Sequence, residues 1–158
     1  MHIPRLEEAI EVCAKHLDQT NARNTEIEAF LTRYLLVLIC ATYEEQIERL
    51  VAKRALKVSD SHVSAFMQSA TGNLIRGIRV SELSRFLGRF GDDYKQLFSA
   101  KVNDTDAHRA YDSIISNRHD TAHGPGAAMT FGELQRLFSD SLGVLDAFAE
   151  ALGVLEDT

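Results

Sequence analysis

The chain is poor in cysteine, proline, long apolar runs and positive charge, and each scarcity closes off a class of protein. Its two cysteines, Cys13 and Cys40, lie among apolar residues in helical patterns and form no C-x-x-C pair. A disulfide scaffold is therefore excluded, and both read as small buried hydrophobes with reduced thiols. With no secretory signal in the sequence, reduced thiols lead to the expectation of a cytoplasmic protein. The longest apolar run is YLLVLICA, Tyr34 to Ala41. A bilayer span takes about 20 residues, so this run reads as a buried helix segment and no membrane association is expected.

There are two prolines, Pro4 and Pro125. Helices can run between them without a proline stop, and Pro125 marks a boundary. No segment alternates polar and apolar residues long enough for a half-buried sheet, and there is no internal repeat or low-complexity tract. The net charge is −6 and the pI about 5.5, which argues against a passive electrostatic binder of nucleic acid. One segment departs from that balance. Residues 74–95 carry Arg76, Arg79, Arg85, Arg89 and Lys95 against Glu82, Asp92 and Asp93.

What the chain does have is helical periodicity. Its 158 residues, 45% of them hydrophobic, suit one domain over 1–158 with a core of its own. Leu6, Ile10, Cys13 and Leu17 form a first apolar stripe. After the polar DQTNARN, a long helix is expected from about Thr25 to Lys57, apolar almost all round in its first half and therefore central. Ser59 and Asp60 are candidate caps for a short helix carrying Val63, Phe66, Met67 and Ala70. Gly72 and Gly77 bound a loop. Ser81 is expected to cap a helix with Leu83, Phe86, Leu87 and Phe90 that Gly91 ends, with a further turn or helix at Tyr94, Leu97 and Phe98. A helix from Asp104–Asp106 to about Asp120 follows, then the loop GPGAAM.

The last helix opens on Thr130-Phe131-Gly132-Glu133, a capping-box spacing. It places Phe131, Leu134, Phe138, Leu145, Phe148, Leu152 and Leu155 on one stripe with Ser141 as its polar member, although Gly143 and Gly153 weaken its continuity. The stripe suits a bundle interior or a second chain. The expected fold is all-α: a compact bundle of about five to seven helices built on an up-down four-helix core.

Chemistry concentrates in SNRHDTAHG, Ser116 to Gly124. Tyr111, Ile114, Ile115, Arg118 and Ala122 share one helix face, so Arg118 occupies a position where an apolar residue belongs. A guanidinium there must find an anion. Three sources compete. In a structural reading Arg118 pairs with a carboxylate of the long helix, Glu44 or Glu45, and the cations complement the helix C-terminus. In a metal reading His119, His123 and His108 supply nitrogens, although the H-E-x-x-H pattern is absent and Arg118 would repel the ion. In a phosphodiester reading histidines serve as base and acid while Arg118 holds the phosphate.

Arg118-His119-Asp120-Thr121-Ala122-His123 is similar to the R-x4-6-H motif of the HEPN superfamily, in which the residue after the arginine is typically polar. The long helix with Tyr43-Glu44-Glu45 and the apolar last helix also resemble that family. The resemblance implies a metal-independent, cofactor-free endoribonuclease whose site is composite across a homodimer, acting on an RNA substrate to leave 2′,3′-cyclic phosphate and 5′-hydroxyl ends. Carried over to this sequence, it makes Arg118 the phosphate ligand, His123 the general acid or base, and His119 the polar orienting group. Asp120, Tyr43, Glu44 and Glu45 are candidates for support. Arg76, Arg79, Arg85 and Arg89 are candidates for an RNA-backbone track, with an ordinary solvated surface as the competing reading. The family includes toxins, phage-defence ribonucleases and RNA-processing factors, so a cognate antitoxin or a nucleotidyltransferase is an implied partner. It also includes non-catalytic members, which makes a helical module binding nucleotide, RNA or protein the alternative.

Overall fold

The computed structural model describes residues 1–72, 74–123 and 129–155, with 119–123 described as backbone only. Seven helices follow one another among these residues: α1 Pro4–Gln19, α2 Glu26–Ala55, α3 Ser61–Thr71, α4 Val80–Leu87, α5 Asp92–Val102, α6 Asp106–His123 and α7 Phe131–Ala151. The fold is an all-α bundle.

Four long helices, α1, α2, α6 and α7, make the core, and contacts along their lengths give their directions. Glu28 meets the start of α7 at Phe131, Tyr43 meets Ser141, and Lys57 meets Gly153, so α2 and α7 run parallel. The Met1 amino group contacts Asp146 at 2.6 Å late in α7. Arg23, just after α1, lies 5.0 Å over the Phe131 ring, so α1 runs the other way. Ala107, at the start of α6, lies beside Gly143 of α7, so α6 is also antiparallel to α7. The short helices α3, α4 and α5 fill the connection between α2 and α6.

Local chemistry sets the helix ends. The Thr25 side chain accepts from Ile27 N–H at 3.2 Å to start α2. Asp60 does the same for α3 through His62 and Val63. The Thr130 hydroxyl accepts from Glu133 N–H at 3.2 Å to start α7. Helix α4 begins two residues earlier than its expected cap Ser81 allows. Arg79 is its N-cap residue, and the Glu82 carboxylate returns to Arg79 N–H at 2.9 Å. The same helix stops at Leu87, and Gly91 belongs to the next element as the N-cap of α5, an eleven-residue helix rather than a turn.

Gly143 lies inside an unbroken α7 and Gly153 beyond its end. At Gly143 a Cβ would meet Ala107 Cβ at 3.1 Å, so its bareness lets α6 and α7 approach. Gly153 has φ +63°, and Gly153 N–H bonds Glu150 O while Val154 N–H bonds Ala149 O. This is the double-bonded left-handed stop that satisfies the last carbonyls of a helix.

The core holds two aromatic groups. Tyr43 stacks on Tyr111 at 5.4 Å and on Phe138 at 6.5 Å between ring centroids. Phe148 packs against Phe86 and Phe98. Along α7 the expected stripe is buried from Phe131 to Leu152, Ser141 included, while Leu155 is exposed. Helix α3 reverses expectation. Ser64 and Thr71 are its buried residues, and Val63 and Phe66 face outward, Phe66 at 73% exposure. Small hydroxylated side chains let α3 sit close to α2, and their polarity is met locally: Thr71 donates to Met67 O and Gln68 donates to Ser64 Oγ.

Candidate functional site

Helix α6 carries the motif, and its preceding turns anchor it. Ala110, Tyr111, Ile114 and Ile115 are fully buried, which fixes the rotation of the helix and places Arg118 at the margin of that apolar face. The Arg118 side chain is 34% exposed and that of Glu44, on α2, 23%. Nη1 of Arg118 donates to Oε1 of Glu44 at 3.1 Å. Of the two carboxylates expected to compete for Arg118, Glu44 is the one that pairs. Glu45 turns to solvent and pairs with Arg49 at 2.6 Å, one turn along the same helix.

The Glu44 carboxylate has a second partner. Its Oε1 also accepts from Gly77 N–H at 2.8 Å, in the loop between α3 and α4. Gly77 has φ +58°, a conformation that costs glycine little and other residues more. The loop is fastened to α6 at two further points. Arg79 Nη2 donates to Ser116 Oγ at 3.0 Å, and Val80 N–H donates to Asp112 Oδ1 at 2.9 Å. The other oxygen of Asp112 faces His108 Nε2 at 3.5 Å. The basic loop is thus laid across the motif helix, with Arg79 reaching a hydroxyl two residues before Arg118.

These contacts were not anticipated from the sequence. The signal was the i, i+4 spacing of His108, Asp112 and Ser116, a polar row beside the apolar face.

Beneath the pair lies Cys40, whose Sγ is 4.0 Å from Ile114 O. Burial pushes its thiol up to about 12, an effect that Glu44 reinforces and Arg118 opposes. It is an inert packing group. Tyr43 is the residue beside Glu44 in sequence but points into the core, where its hydroxyl meets Ser141 Oγ. Burial holds that phenol well above its ordinary value, so it stays protonated and serves the site by fixing α2 against α7.

The structure therefore brings Arg118 and Glu44 together and ties Arg79 to Ser116 of the same helix. It sets Arg85, Arg89 and Arg76 on the exposed surface around the same loop, and leaves Glu45 apart. The backbone of His119, Asp120 and His123 continues α6 to its end, and their side chains lie outside the described residues. A guanidinium offers five N–H donors in a planar fork, and the bond to Glu44 draws on one of them. The carboxylate orients the fork while Arg118 keeps a face toward solvent.

A family model described as RiboL-PSP-HEPN matches residues 3–153, nearly the whole chain. The chain belongs to this HEPN family. Membership supports an RNA-related, nuclease-like role at the level of the family. No curated protein matches the chain, and no solved structure does. Among the described residues no helix is long and apolar enough to cross a membrane.

Proposed function

We propose that this protein is a metal-independent endoribonuclease whose active site is completed by a second copy of the chain. The observation that carries the reading is the HEPN match together with an R-x4-H motif whose arginine is oriented by Glu44 and still reaches solvent. In this mechanism the 2′-hydroxyl attacks the adjacent phosphorus, the 5′-oxygen leaves, and a 2′,3′-cyclic phosphate remains. His123 of one protomer takes the 2′ proton, and a second His123, from the partner copy, gives a proton to the 5′-oxygen. Histidine suits both roles because its ordinary pKa lies near neutrality. Arg118 neutralises the phosphorane, and His119 orients it. Glu44 positions Arg118, with Asp120 and the Tyr43 packing as further support. A toxin or defence effector paired with a cognate antitoxin or nucleotidyltransferase is the biological role this chemistry fits.

A second reading is favoured by one contact: Arg118 already has its anion in Glu44. On that reading the motif is a structural helix end in a non-catalytic binding module. Cleavage of a mixed RNA pool in EDTA separates the two. Wild type should cut and leave cyclic-phosphate ends, and Arg118→Ala and His123→Ala should each lose about 10²-fold or more in rate while remaining folded. A folded wild-type dimer that leaves the pool intact would move the assignment to the binding module.

A further inference from the structure

Eight of the twelve arginines are engaged, three of them by uncharged acceptors: Arg33 by Ala29 O, Arg54 by the Tyr94 hydroxyl and Arg79 by Ser116 Oγ. Arg23, Arg49, Arg109, Arg118 and Arg136 each pair with a carboxylate. Arg76, Arg85 and Arg89, with Arg5, lack a partner among the described residues, and three of these four fall in one short segment. In a chain of net charge −6 there is no shortage of carboxylates, so this clustering of unpaired cations is informative.

The segment also has shape. Leu74, Ile78, Glu82, Arg85, Phe86 and Arg89 line a groove between the α3–α4 loop and α4. The loop forms one wall, and its other contacts lead to the motif: Gly77 N–H bonds Glu44, and Arg79 bonds Ser116. The carboxylate in the groove, Glu82, is already engaged by Arg79 N–H. Arg85 lies in the last turn of α4 and Arg89 just past its C-cap Gly88, so both border the groove at the end of that helix. Two fork-shaped cations bordering an apolar floor suit a strand that alternates phosphates with flat, weakly polar rings.

We propose that this groove holds the single-stranded RNA flanking the scissile bond, with successive phosphates on Arg85 and Arg89 and base surface against Leu74 and Ile78. The RNA class rests on the function proposed above, and the groove adds the path by which substrate leaves the Arg118 site. Recognition through phosphates makes the track indifferent to sequence. Because the whole chain is acidic, its hold on RNA is local and depends steeply on salt.

The test reads binding apart from cleavage. The probe is a fluorescein-labelled 12-nucleotide 2′-O-methyl uridine oligomer, whose blocked 2′-oxygen prevents cutting. Its anisotropy is titrated with the full chain at several salt concentrations. Arg85→Ala/Arg89→Ala should weaken binding at least tenfold and flatten the log–log salt slope by about 1.4, two phosphates at about 0.7 each on a single strand. Arg85→Lys/Arg89→Lys should keep the slope and lose part of the affinity. The control, Arg109→Ala/Arg136→Ala, removes the same charge from salt-bridged surface sites and should bind as wild type does. No binding by wild type, no loss in the Arg85/Arg89 double variant, or an equal loss in the control would each overturn the proposal. Cleavage of unmodified RNA is scored separately, so a failed nuclease reading and a failed groove give different results.

Discussion

Glu44 Oε1 accepts hydrogen bonds from Arg118 Nη1 at 3.1 Å and from Gly77 N–H at 2.8 Å, and so ties α2, the motif helix and the basic loop at one oxygen. A single carboxylate thus governs both the aim of the arginine and the seat of the loop that carries Arg76 and Arg79. Replacing it tests both. Glu44→Ala removes the acceptor from a partly buried amide and from a cation, and should lower stability by about 1–3 kcal/mol in urea unfolding. Glu44→Gln retains a carbonyl acceptor for both donors and should cost less than half of that. If cleavage is found, Glu44→Gln should reduce kcat more than it raises KM, because Arg118 keeps its acceptor but is held by a weaker bond to an uncharged group.

The long helix, the capped start of α7 and the odd position of Arg118 were legible because each depends on spacing within one element. The identity of Arg118's anion was legible only to within two neighbours, Glu44 and Glu45, since one helix step decides which of them faces α6. Helix α3 was misjudged for a related reason. Its arc of Val63, Phe66, Met67 and Ala70 reads as a buried face, but periodicity gives an arc without saying what it meets. Close approach to α2 selected the small residues Ser64 and Thr71 instead. The ties from the α3–α4 loop to Ser116 and Asp112 join positions more than thirty residues apart. No local pattern encodes such pairings.

A second prediction concerns acid stability. Glu28 is buried at 8% exposure and accepts from Asn24 N–H at 2.5 Å and from Phe131 N–H at 3.0 Å. These backbone donors, that of Asn24 first, hold its carboxyl below the ordinary carboxylate range against the opposing effect of burial. A carboxyl with a depressed folded pKa contributes stability above its unfolded pKa, about 4.3, and loses it as pH falls through the lower folded value. Wild type should therefore exceed Glu28→Gln in stability at pH 7, and the gap should close between about pH 4 and the acid limit of folding. Urea midpoints of both proteins across that range give the answer, and a gap independent of pH would contradict it.

Gly143 within α7 and Gly153 just past its end should respond to substitution in different ways. Gly153→Ala places a Cβ in open space but in a left-handed conformation, and should cost about 1–2 kcal/mol from backbone strain alone. Gly143→Val meets Ala107 and forces α6 and α7 apart, at a cost of about 1–3 kcal/mol. Adding Ala107→Gly should recover part of the loss at position 143 and none of the loss at 153. Thermal unfolding of the four proteins separates strain from crowding.

The Tyr43–Ser141 pair makes the sharpest stability test. Ser141 Oγ donates to Phe138 O at 2.8 Å, so it has no proton left for Tyr43, and the phenol must be the donor between them. Both residues are fully buried. Tyr43→Phe removes a donor and leaves Ser141 with its bond to Phe138, which should cost about 0.5–1.5 kcal/mol. Ser141→Ala strands a buried phenol hydroxyl with no acceptor and should cost more, about 1–3 kcal/mol. The double variant removes the stranded group, so it should be no less stable than Ser141→Ala alone and less destabilised than the sum of the single changes. If the two changes simply add, the hydroxyls are uncoupled, and the link that holds α2 against α7 behind the Arg118 site lies in ring packing instead.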